Sequence, residues 1–150
     1  MNDLRDLYQE IILDHNKSPR NFHKLDEANR KVEGFNPLCG DHYTIYLILE
    51  DDRIKDISFE GSGCAISKAS ASLMSSMLKG KTVGEAEELF KKFHDIVTGH
   101  VDAEEKLIDM GKLAVFSGVC DYPARVKCAT LAWHTMHEGI SGEDQTVTTE

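Results

Sequence analysis

The chemistry available to this chain is concentrated in three stretches that carry sulfur beside polar partners. In Asn36-Pro37-Leu38-Cys39-Gly40-Asp41, proline and glycine flank the thiol and put Cys39 on a turn. Asp41 follows across a glycine that lets the backbone fold sharply. A thiolate and a carboxylate held this close make half of a metal site, or a nucleophile beside its own general base. A buried loop cysteine beside an Asx turn is the structural alternative. In Phe59-Glu60-Gly61-Ser62-Gly63-Cys64-Ala65, glycines turn a strand into a helix and leave Cys64 at the helix N-terminus. There, free N–H groups and the positive dipole end favour thiolate over thiol. The same turn lacks the GK[ST] sequence of a phosphate-binding loop. In the run from Tyr122 to Trp133, Cys128 lies in the early turns of a helix, with Arg125 one turn before it and Lys127 beside it. Cations at that distance make a sulfur a better nucleophile or ligand, whereas a lone helical cysteine is otherwise a small core residue.

Chemical class unites the three stretches. Cys39, Asp41, Cys64 and Cys128 form a complete tetrahedral ligand set for zinc, although their spacing matches no CxxC knuckle. The fourth cysteine, Cys120, stands eight residues before Cys128 and could reach the same region. His42 beside Asp41 is a competing ligand, while His134 and His137, one turn apart near a helix end, read as solvated. No Ser/His/Asp triad is built.

These side chains need elements to hold them. Asn2 to about Lys17 places Leu4, Leu7, Tyr8, Ile11, Ile12 and His15 at helical spacing, and the helix stops before Ser18-Pro19. Residues 18–30 read as a long surface loop. Strands follow at Arg30–Asn36, Tyr43–Leu49 and Arg53–Glu60, the last two joined by a polar hairpin and therefore antiparallel. Helices come next, from Cys64 to Lys79 ahead of Gly80, and after the capping-box pair Thr82 and Glu85 up to Gly99. A short or broken helix follows Asp102, and a final one runs from Pro123 to His137 or Glu138. The small residues Ser67 to Ser72 imply close packing of the helix that carries them. Strands first and helices after is the α+β pattern. One domain is expected over residues 1–140, with a polar, unfixed tail over 141–150.

Composition narrows the partners. Seventeen Lys and Arg against 26 Asp and Glu give a net charge of −9, which argues against nucleic acid and anionic membrane surfaces. No apolar run is long enough to span a bilayer, and the polar start Met1-Asn2-Asp3-Leu4-Arg5 does not read as a signal peptide. A cytoplasmic protein with free thiols is expected rather than a disulfide framework.

Cys39-Gly40-Asp41, Gly61-Ser62-Gly63-Cys64-Ala65-Ile66-Ser67 and Arg125-Val126-Lys127-Cys128-Ala129-Thr130-Leu131-Ala132-Trp133 resemble the three motifs of the SufU type within the IscU/NifU N-terminal superfamily. Leu7 to His15 and Asn16, Pro19, Arg20 and Asn21 match the same group, so the resemblance runs from Leu4 to Gly139. It implies an α+β fold with a small three-stranded antiparallel sheet packed against five to six helices, with Asp41 and three cysteines converging at one end. Residues 80–100 can hold the helical insertion of the SufU branch, and Lys127 stands where IscU-like proteins usually carry a histidine ligand. The resemblance implies zinc on Cys39, Asp41, Cys64 and Cys128, with Cys39 as sulfur acceptor, Arg125 as an auxiliary basic residue and Cys120 as a bystander. It further implies a zinc-dependent sulfurtransferase of iron–sulfur cluster assembly. Such a protein docks a SufS-like, pyridoxal-phosphate-dependent cysteine desulfurase, exchanges one zinc ligand for a partner side chain, and passes sulfur toward SUF scaffold proteins. A scaffold holding iron or an iron–sulfur cluster on the same ligands, and a zinc-stabilised adaptor without catalysis, are the alternatives.

Overall fold

The strand with the densest β-branched and aromatic content becomes the middle of the sheet. In the computed structural model, which describes residues 3–37, 39–99, 115–116, 119, 122–141 and 147–148, β2 (Asp41–Glu50) lies between β1 (Arg30–Asn36) and β3 (Arg53–Ser62), antiparallel to both. Asp51 and Asp52 join β2 to β3 with φ of 53° and 60°, the mirror-image two-residue turn that matches strand twist. β1 and β2 pair from Arg30↔Leu47 to Asn36↔Asp41, so Pro37, Cys39 and Gly40 lie at one corner of the sheet. The antiparallel three-strand sheet expected from the sequence is present, with β2 and β3 each extended at the end nearest this corner. Val147–Thr148 adds a two-residue strand, β4, parallel to β1.

Helices α1 (Asp3–Lys17), α2 (Ala65–Leu78), α3 (Val83–Val97) and α4 (Pro123–Ile140) complete the α+β architecture. Among the described residues there are four α-helices where five to six were expected. The broken helix read after Asp102 lies outside the described residues. None of the four is long and apolar enough to cross a membrane.

The small residues of α2 do what close packing requires. Ser67, Ala69, Ser70, Ala71, Ser72 and Ser75 are all buried, and Ser70 Oγ donates to the Ala129 carbonyl of α4. Trp133 Nε1 in turn donates to Ser70 Oγ at 3.2 Å, so the indole is buried with its polar group satisfied. On the other side of α2, His15 Nδ1 of α1 meets Ser72 Oγ at 2.7 Å. The loop after α1 is pinned rather than free. Arg20 N–H donates to Ser72 Oγ, Asn21 Nδ2 to Ser75 Oγ, and Phe59 N–H to the Asn21 carbonyl.

α3 begins with the capping box read from the sequence, Thr82 and Glu85 each binding the other's backbone N–H. It buries Phe93 flat against Trp133, ring centroids 4.7 Å apart, with Phe116 edge-on at 5.6 Å from Phe93. This aromatic stack fixes α3 to α4 five residues from Cys128. Trp133→Ala should cost about 3–5 kcal/mol, and Thr82→Ala, which removes only the cap, about 1 kcal/mol. Urea unfolding followed by circular dichroism measures both, and similar losses from the two would show that the aromatic stack is not the principal tie.

Candidate metal centre

Asp41 is the first residue of β2 and is 1% exposed. Burying a carboxylate requires donors for its oxygens. Three separate parts of the chain supply them. The Cys64 N–H at the start of α2 donates to Asp41 Oδ1 at 2.9 Å, and the Ser67 hydroxyl approaches the same oxygen at 3.1 Å. Asn36 Nδ2, across the β1–β2 pairing, donates to Oδ2 at 3.1 Å. Tyr43 Oη lies 2.9 Å from Ser67 Oγ, and burial pushes the phenol well above its ordinary range, so it stays protonated. A side chain at Gly63 has no room, because its Cβ would lie 2.5 Å from Asp41 Oδ1 and from Ser67 Oγ. Glycine here is a condition of the carboxylate's position.

The sulfurs gather around this group. Cys39 is exposed on the loop between β1 and β2, beside Gly40 at φ +72°, and its N–H bonds the Asn36 carbonyl. Cys128 is buried on α4 with its Sγ 3.2 Å from Cys39 Sγ. The ligand atoms of Cys39, Asp41 and Cys128 all lie within 4.8 Å of one another. Cys64 is the N-cap of α2, and its sulfur accepts the Ser67 N–H at 3.4 Å.

Cys64 Sγ stands beside this group and is not part of its 4.8 Å cluster. The neighbouring Cys128 thiol lowers the Cys64 thiol well below its ordinary range, helped by the Ser67 N–H at the helix start. Cys64 in turn, followed by burial, raises Cys128. The exposed Arg125 is held firmly charged, first by Cys64 and then by Cys128. A cavity of about 720 Å³ opens beside the group, lined by Gln9, Cys64, Ile66, Val119, Tyr122 and Arg125. It gives a solvent-side approach to Cys64.

The other residues singled out from the sequence lie elsewhere. His42 points to the face of β2 opposite Asp41, stacked on Phe35 and 3.2 Å from Glu33. His134 and His137 pack around Phe90 of α3, away from the sulfurs, and burial lowers His134. Cys120 lies outside the described residues. Sequence reading missed the supporting residues Asn36, Tyr43 and Ser67. Ser67 carried a signal, since it stands three residues after a helix-capping position. Asn36 carried none, because only the register of β1 on β2 sets it opposite Asp41.

Thiolates with a carboxylate are donors for zinc, and also for iron. Residues 7–129 match the family described as NifU-like N-terminal domain. The chain is 39% identical over 142 residues to the zinc-dependent sulfurtransferase SufU of Bacillus subtilis, covering 95% of each chain. It is 42% identical over 134 residues to the iron–sulfur cluster assembly scaffold protein IscU of Thermotoga maritima, covering 89% of this chain and 92% of that one. A crystal structure of a protein named as an iron–sulfur cluster assembly scaffold for the SUF system, from Fervidobacterium islandicum, superposes with a TM-score of 0.81 at 36% identity. That superposition covers 91% of this chain and 98% of the other. With Cys39, Asp41, Cys64 and Cys128 all inside the matched span, this chain belongs to the NifU-like N-terminal domain family, in the superfamily that includes SufU and IscU.

Proposed function

We propose that this protein is a zinc-dependent sulfur acceptor in iron–sulfur cluster assembly, a single cytoplasmic domain over residues 1–140. It takes persulfide sulfur from a pyridoxal-phosphate-dependent cysteine desulfurase onto Cys39. The observation that carries the reading is the exposed Cys39 thiol on a turn, grouped with buried Asp41 and Cys128 within 4.8 Å. The similarity to a zinc-dependent sulfurtransferase supports it. In this reading Cys39, Asp41, Cys64 and Cys128 hold the metal. Zinc, when bound, keeps its sulfur ligands deprotonated at neutral pH.

The chain's own residues then divide the work. Asp41 and Cys128 are buried in regular elements, whereas Cys39 is the most exposed of the described cysteines. Its thiolate attacks the terminal sulfur of the donor persulfide. The sulfur–sulfur bond to the donor cysteine breaks, the donor leaves as thiolate, and Cys39 carries the persulfide. Arg125, one turn before Cys128, supplies a fixed positive charge beside the sulfurs while negative charge moves between them. The second reading, a scaffold that assembles a cluster on the same donors, is favoured by the similarity to IscU proteins.

Four measurements test the sulfur-acceptor reading. Protein purified without added metal should contain stoichiometric zinc and strongly stimulate alanine release by a SufS-type desulfurase supplied with cysteine. Brown protein with bound iron and weak stimulation would favour the scaffold. Cys39→Ser should abolish sulfur acceptance while Cys120→Ser changes little, and equal losses would refute the ligand assignment. Chelation should lower Tm, because metal held only by the folded state stabilises it by about 2.7 kcal/mol at 100 times Kd, or roughly 5–10 °C at this size. An unchanged melting curve after verified zinc removal would count against a metal in this site. Gly63→Ala, which crowds Asp41 and Ser67, should weaken zinc binding by about tenfold or more in a chelator competition.

A further inference from the structure

We infer that Asn36 is a positioning residue of the metal centre: its carboxamide ties Asp41 to Cys128 and leaves the Asp41 carboxylate a single lone pair for a cation. The inference rests on the metal-centre reading above. Asn36 is fully buried at the end of β1. Its Nδ2 donates to Asp41 Oδ2 at 3.1 Å and to Cys128 Sγ at 3.4 Å. One side chain thus uses both amide hydrogens on two proposed ligands from different elements, the second strand and the last helix.

Its other atom shows what the residue is for. Asn36 Oδ1 is buried with no hydrogen-bond partner among the described residues. An unpaired buried acceptor lowers stability, and native folds rarely keep one without a reason. Turning the amide over would not help, since it would set an oxygen against a carboxylate and a sulfur. The orientation is fixed by the two acceptors.

Counting lone pairs gives the consequence for Asp41. Oδ1 already accepts the Cys64 N–H and faces the Ser67 hydroxyl. That hydroxyl also lies 3.0 Å from the Cys64 carbonyl, but a charged carboxylate is the stronger acceptor. Oδ2 accepts one hydrogen from Asn36 and keeps one lone pair. Asp41 is therefore set to bind through Oδ2 alone. The N–H···S bond to Cys128 draws charge from that sulfur. Hydrogen bonds of this kind to metal ligands hold their orientation, and losing one typically weakens metal binding about 10–100-fold.

The test uses the full chain, metal-free and loaded with Zn²⁺ or Co²⁺. Asn36→Leu keeps the number of side-chain heavy atoms, deletes both donors and removes the unpaired oxygen. It should bind Zn²⁺ about 10–100-fold more weakly in competition with a chromophoric chelator and alter the ligand-field absorption of the Co²⁺ form. Its metal-free urea midpoint should fall less than that of Asn36→Ala, because it loses the donor to Asp41 but leaves no cavity. Asn36→Ala leaves a cavity, so it should lose a similar affinity and also lose metal-free stability. It carries the metal measurements if the leucine variant does not fold. The role of Asn36 is overturned if affinity stays within about threefold of the parent's in the folded variants, or if affinity loss tracks metal-free stability across the pair. A parent chain that binds neither ion would instead remove the metal-centre reading itself.

Discussion

The buried Asp41 carboxylate is the constraint on which this end of the molecule depends. An anion 1% exposed at the corner of a sheet needs donors for both its oxygens, and here they come from β1, from the first turn of α2 and from the start of that helix's backbone. Each tie has a structural condition. Asn36 reaches the carboxylate only if β1 and β2 pair in the observed register. The Cys64 N–H reaches it only if the chain turns through Gly63 without a side chain. Once these are met, three elements meet at one point and the sulfurs on them are brought along.

Exposure then distinguishes the sulfurs. Cys128 is buried on α4, Cys64 caps α2 and is partly exposed, and Cys39 stands exposed on the connection between β1 and β2. A group with buried donors and one exposed thiol among the described cysteines can present a sulfur without dismantling the rest. A metal that served only to hold the fold would be better enclosed by ligands of uniform burial.

The position of Cys128 is set at a distance from the site. α4 is held by Trp133, which stacks on Phe93 and donates to Ser70, while Ser70 bonds the Ala129 carbonyl next to Cys128. The aromatic contact between α3 and α4 and the serine-rich face of α2 therefore determine where the third sulfur lies. Packing in the core and geometry at the site are one problem in this fold.

Much of this was legible in the sequence because it is local. The turn residues around Cys39, the glycines before Cys64, the Thr82–Glu85 cap and Pro123 at a helix start each act over a few residues, and the elements they predict are present. Chemical type nominated Asp41 and the cysteines, and the family resemblance set Cys120 aside. What the sequence could not determine depends on register and packing. Asn36 is an ordinary strand-end residue until β1 pairs with β2, and His42 looks as available as Asp41 until strand alternation turns it to the other face. The 3.2 Å approach of Cys39 to Cys128 joins residues 89 positions apart, a contact that exists only because α4 packs against the sheet and α2. Sequence supplied the donors and the local turns; tertiary structure decided which donors meet, because close approach of distant side chains is a property of the packed core.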